Sequence, residues 1–130
     1  MTPRMLRAVA LGLGLCLIAG AASASGDPAA GRKIFRKCAV CHSLKAGKHK
    51  IGPSLHGVIG RTPGTAPGYK YSKAMKAHGA SGIVWNEETL DTYLTAPRKV
   101  VKGTKMAFPG LKSAQQRADV IAYLKQASGP

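Results

Sequence analysis

The stretch KCAVCHSL, Lys37 to Leu44, places two thiols three residues apart and an imidazole directly after the second. Three kinds of chemistry use such a set. A C-x-x-C disulfide serves thiol oxidoreductases, but there the motif follows a strand and opens a helix in a βαβ unit, and no segment of this chain alternates as a strand does. A structural zinc takes four ligands, commonly from two such pairs, and the sequence has no second C-x-x-C and no paired-His motif. The third chemistry is covalent attachment of a c-type haem. In C-x-x-C-H both thiols add to vinyl groups on one porphyrin edge and the adjacent His reaches the iron. Cys38 and Cys41 are then the anchors of one covalently attached haem c, and His42 is a metal ligand.

A closed sixth position restricts such an iron mainly to electron transfer, whereas an open one admits oxygen, peroxide or nitric oxide. Met75, Met106, His49, His56, His78 and several lysines could fill it. Met106 stands in KGTKMAFPG, a loop where Gly103, Pro109 and Gly110 let backbone pass close to a flat ligand. A lone Met is more often core filler than ligand, and chemistry alone leaves the choice open.

The elements that must position these residues are short. Asp27-Pro28 opens a helix, with Asp as cap and Pro at the first helical position, and this helix carries Ile34 and Phe35 inward before running into the Cys pair. From Lys45 to Ser72, glycines and prolines break any period, leaving a long loop that needs something to wrap around. Ser72 to Gly79 can form a short helix, and Asn86 caps a better one in which Leu90, Tyr93 and Leu94 share a face before Pro97 stops it. A second loop, Arg98 to Lys112, leads to Ser113 and Gln116, a capping box for a last helix presenting Val120, Ile121 and Leu124 on one side. The expected class is all-α, short helices and long loops with no sheet. One Trp, four Tyr and two Phe make a thin core for this length, and a haem in the middle supplies what the side chains lack.

The 130 residues fit about one domain. Residues 1–24 are expected to be a secretory signal peptide: Arg4 and Arg7, an apolar run from Ala8 to Ala19 too short to span a bilayer, and Ala22-Ser23-Ala24 as a cleavage site. Cys16 leaves with it, so residues 25–130 form the domain with Cys38 and Cys41 as its only thiols. Losing Arg4 and Arg7 leaves 18 basic residues against 5 acids, a formal charge near +13. That surplus asks for an anionic partner, and export excludes nucleic acid.

GRKIF, CAVCH, KHKIGPSLHG, GRTPGTAPGYKY, GTKMAF and RADVIAYLK occur in this order. On these motifs the chain from Asp27 to Gln126 resembles class I cytochrome c, and is similar to the mitochondrial members and their periplasmic bacterial relatives. The resemblance implies a small cytochrome c fold and Met106 as the sixth ligand. It implies that the Pro53 carbonyl backs the His42 ring, that Arg61, Tyr71, Trp85 and Thr104 hydrogen-bond the haem propionates, and that Tyr93 and Phe108 flank the Met side. The last helix is then expected to cross the first at Gly31, with Phe35 and Tyr123 packed there. Two departures stand out: Met75 where mitochondrial members usually carry Asn, and an insertion at Ala80 to Gly82.

The function so implied is a diffusible, monomeric electron carrier in a bacterial periplasm, not an enzyme. Its partners are acidic faces of membrane redox complexes, such as a cytochrome bc complex, a terminal oxidase or a photosynthetic reaction centre, or a periplasmic dehydrogenase. Lys37, Lys50, Arg98, Lys99, Lys105 and Lys112 match the family's docking positions around the exposed haem edge. The alternative is a single-haem peroxidase or gas-binding protein, which would need Met106 displaced.

Overall fold

The computed structural model describes residues 25–130, and the expected signal at 1–24, with Cys16, lies outside the described residues. Five helices follow in chain order: α1 (Pro28–Ala39), α2 (Lys73–Ala80), α3 (Glu87–Thr95), α4 (Pro97–Val100) and α5 (Ala114–Ala127). There is no strand among the described residues, and none of their helices is long and apolar enough to cross a membrane.

α1 begins where the sequence says it should. The Asp27 carboxylate accepts from Ala29 N at 2.9 Å, Pro28 sits in the first turn where no N–H is needed, and Arg36 and Lys37 face the negative end of the helix dipole. Its buried stripe holds Gly31 and Phe35. A Cβ at Gly31 would lie 1.9 Å from the Asp119 carbonyl oxygen, so only glycine lets α1 and α5 cross this closely. Beside the crossing, the Phe35 and Tyr123 rings pack at 5.3 Å. Asp119 is buried, and its carboxylate accepts from Asp27 N and Gln115 Nε2, both at 2.8 Å.

α3 opens on a reciprocal capping box: Thr89 N donates to Asn86 Oδ1 and Asn86 N to Thr89 Oγ1, both at 2.9 Å. Two ion pairs bind it to α5, Asp91–Arg117 at 2.7 Å and Glu87–Lys125. At Pro97 the structure departs from the expected loop. Proline's fixed φ also suits the first position of a new helix, and Pro97 opens α4 instead of ending order. Arg98 and Lys99 therefore stand on a helix. Ser113 caps α5 by accepting from Gln116 N, with no return bond from the Gln116 side chain.

The loop from Lys45 to Ser72 is ordered by bonds of its own. Ser54 N donates to His49 Nδ1 at 3.0 Å and His49 Nε2 to the Pro67 carbonyl at 2.8 Å, so this imidazole pins two turns together. Gly60 N donates to Trp85 O at 2.7 Å and Trp85 N to Arg61 O at 2.9 Å, docking the loop beside α3. Gly60 is at φ +87°, a conformation a side chain resists. Together with Phe35, Trp85, Leu90, Leu94, Val120 and Leu124, this loop encloses a large cavity.

Candidate functional site

The C-terminal end of α1 delivers the two thiols to that cavity. Cys41 N and His42 N both donate to Cys38 O, at 3.0 and 2.9 Å, so the chain makes one more turn after the helix and keeps Cys38, Cys41 and His42 on the cavity wall. Both sulfurs are free and half-buried. Burial pushes the Cys38 thiol up to about 11, with Lys37 working the other way and Cys41 adding to the rise.

His42 Nδ1 lies 2.7 Å from the Pro53 carbonyl oxygen. A carbonyl only accepts, so the proton sits on Nδ1 and the lone pair on Nε2. Burial lowers the His42 pKa, the Pro53 bond opposes this, and Arg61 and Lys50 add to it. Gly52 packs flat on the ring, since a Cβ there would stand 2.4 Å from His42 Cε1. The imidazole is thus held as a neutral, oriented donor.

Met106 stands in the same cavity, in the loop between α4 and α5. Tyr93 OH donates to its Sδ at 3.3 Å, and Met106 N donates to Thr104 Oγ1 at 3.3 Å. The Tyr93 ring lies 4.9 Å from that of Trp85. Burial raises the Tyr93 pKa and the nearby Thr104 hydroxyl works the other way. Of the other residues that could have filled a sixth position, His49, His56 and His78 do not line the cavity, whereas Met75 does and is buried in its wall. The His78 ring lies instead 5.7 Å from that of Trp85.

Pro53, Arg61, Tyr71, Trp85, Tyr93, Thr104 and Phe108 all line the cavity. Arg61 Nη1 and Nη2 donate to the His56 and Ser54 carbonyls at 2.9 and 3.1 Å, which leaves Nε buried without a partner. Tyr71 OH accepts from Ala66 N at 3.1 Å, so its own proton remains to be given. Two donors on one wall, one of them buried and unmet, suit a carboxylate. Sequence reasoning missed Tyr69, whose OH donates to Ile51 O at 2.7 Å, and the aliphatic wall formed by Leu55 and Val58. These sit in a stretch without periodicity, so no pattern marked them.

A family model described as cytochrome c matches residues 28–128. The chain belongs to the cytochrome c family. It is similar to cytochrome c of Ginkgo biloba, 52% identical over 105 residues that cover 79% of this chain and 90% of the relative. Cytochrome c of Sesamum indicum is also 52% identical over 105 residues, 79% and 92% of the two chains. For Chlamydomonas reinhardtii the identity is 53% over 106 residues, 80% and 92%. Family membership makes the protein an electron carrier of the cytochrome c kind, sets it at this level apart from enzymes, and implies redox complexes as its partners.

Members of the family carry a covalently attached haem c, and this cavity suits one. Its volume of about 560 Å³ falls within the range of cofactor sites. Paired thiols, an oriented imidazole, a thioether and the unmet Arg61 donor stand in its wall.

These relatives also overturn one expectation. They come from plants and algae, eukaryotes with cytochrome c of the mitochondrial type, and the assignment to a bacterial periplasm is withdrawn. A basic start followed by an apolar run is a pattern of charge and hydropathy, and it names no compartment by itself.

The expected docking residues separate into two groups. Lys37 and Lys105 line the cavity mouth, and Lys50 Nζ donates to the Ala39 carbonyl beside it. Arg98, Lys99 and Lys112 are exposed but do not line the cavity.

Proposed function

We propose that the chain shuttles single electrons between respiratory or photosynthetic complexes through a haem that Cys38 and Cys41 would hold covalently, with His42 and Met106 as the residues that would bind its iron. When bound, the haem supplies a one-electron couple. The observation that carries the reading is one cavity holding both thiols, a His42 ring whose Nδ1 is tied to Pro53, and a Met106 sulfur tied to Tyr93. Pro53 and Gly52 keep the imidazole neutral and oriented, while Tyr93 holds the thioether and Phe108, in the same cavity wall, would help keep water from it. A neutral thioether favours the reduced state, so this pair gives a high potential. Arg61, Tyr71, Trp85 and Thr104 are the groups that would balance the propionate charges, which are costly to bury alone.

The proposed partners are a cytochrome bc complex, a terminal oxidase, a photosynthetic reaction centre or a dehydrogenase, met through acidic faces by the monomer. Lys37, Lys50 and Lys105 would lead the encounter, with Arg98, Lys99 and Lys112 adding to the field. We further propose that residues 1–24 are a leader removed before residues 25–130 act, and the intact mass of the purified protein tests this.

The deciding experiment is Met106→Ala. The far-red sulfur-to-iron band of the oxidised protein should vanish, the potential should drop, and carbon monoxide should bind readily. Survival of that band would remove Met106 from the ligand set.

A further inference from the structure

Arg61 stands between two spaces. It lines the large cavity and also a smaller one, of about 250 Å³, walled by His49, Ser54, His56 and Pro67. With room on both sides, packing alone does not fix its side chain. Its place is set by the acceptors its nitrogens bond to, the His56 and Ser54 carbonyls. The aim of the guanidinium therefore depends on the turn that carries those two carbonyls.

That turn is gripped from outside at two amides. Leu55 N donates to Ser43 O at 2.8 Å, just after the attachment motif, and Gly57 N donates to Ser128 O at 2.7 Å, where α5 ends. Ser128 is buried, at 1% exposure, so this end of the helix is not frayed. Gly129 then lies on the His56 ring: a Cβ there would stand 2.7 Å from Cε1, and the φ of +70° favours glycine. The Pro130 carbonyl oxygen stands over Gly57, 3.0 Å from where a Cβ would be. None of these three residues lines either cavity, so whatever they do to the site they do through the turn.

We propose that Ser128, Gly129 and Pro130 form a positioning strap, which by holding Gly57 and His56 aims Arg61 into the large cavity and so sets how strongly this cation acts on the haem the cavity would hold. The proposal rests on the electron-carrier reading above. A positive charge beside the haem disfavours the oxidised iron, by an amount that falls with distance and with access of water. Loosening the strap therefore lowers the potential without touching a ligand.

The test uses the haem-loaded protein at about pH 8 and fixed ionic strength. Gly129→Val places a branched side chain at a left-handed φ and against the His56 ring, and His56→Ala removes that ring while leaving its carbonyl. Each should lower the midpoint potential, by less than Arg61→Gln lowers it, with the far-red sulfur-to-iron band retained. In an Arg61→Gln background neither should lower it further. If Gly129→Val takes up no haem, His56→Ala decides alone. A reduced denaturation midpoint with an unchanged potential makes the segment a structural prop and overturns the proposal. An equal drop in both backgrounds also overturns it, because the effect then lies elsewhere than at Arg61. If Arg61→Gln itself leaves the potential unchanged, the cation has no hold on the haem and the strap has nothing to aim. All three results leave the electron-carrier reading intact, which fails separately if the parent protein takes up no covalent haem.

Discussion

A thioether is a weak hydrogen-bond acceptor, and Met106 is gripped by few groups: the Tyr93 hydroxyl at 3.3 Å from Sδ and the Thr104 hydroxyl at its amide. Tyr93→Phe keeps the ring packed on Trp85 and removes only that donor. We expect a lowered midpoint potential and faster cyanide binding, measured by redox titration and stopped flow, with the sulfur-to-iron band retained. The same hydroxyl carries a pH dependence. Burial raises the Tyr93 pKa above the usual value near 10. A raised pKa means the folded state holds its proton more tightly, so the stability is fully present below about pH 10 and is lost as pH rises through the folded value. Denaturation midpoints measured from pH 9 to 11 should therefore fall less steeply in Tyr93→Phe than in the parent. Tyr71, also raised by burial, keeps part of the slope in both.

Among the elements, the α1–α5 crossing tolerates least. A Cβ on Gly31 meets backbone, the Asp119 carbonyl at 1.9 Å and its carbon at 2.5 Å, which no rotamer change relieves. Gly31→Ala should destabilise the fold by about 3 kcal/mol or more, read from chemical denaturation. Asn86→Ala removes half of the α3 capping box and should cost about 1 kcal/mol. The helices were legible in the sequence because each has a cap or a stripe: Asp27-Pro28, Ser72, Asn86, Ser113. α4 was not, because Pro97 ends a helix and begins one with the same ring geometry. Nor was the rest of the order within residues 45 to 72, where the Ser54 and Tyr69 hydroxyls donate to the Lys45 and Ile51 carbonyls, distant in sequence. In the cavity, C-x-x-C-H marked its own place through spacing. The partners of Arg61 and the aliphatic wall at Leu55 and Val58 carry no local signature, and only the folded chain brings them together.

At the scale of the molecule, the apolar side chains surround a space instead of filling it. Replacing Cys38 and Cys41 with Ala should leave a largely unfolded chain without covalent haem, because the remaining apolar contacts are too few for a domain this small. A native-like helical circular dichroism spectrum from that haem-free variant would refute this. The Gly31 crossing also has a bearing on biosynthesis. α1 ends at Ala39 and its partner α5 ends at Ala127, so at ribosomal speeds the first helix waits on the order of 4 to 18 seconds for the second. Until then the Gly31 and Phe35 stripe of α1 lacks the helix it packs on, and Val120 and Leu124 are missing from the cavity wall. If the proposed leader carries the chain elsewhere before it folds, the same order applies there: the attachment motif arrives with the first helix, and the crossing that completes its surroundings must await the last.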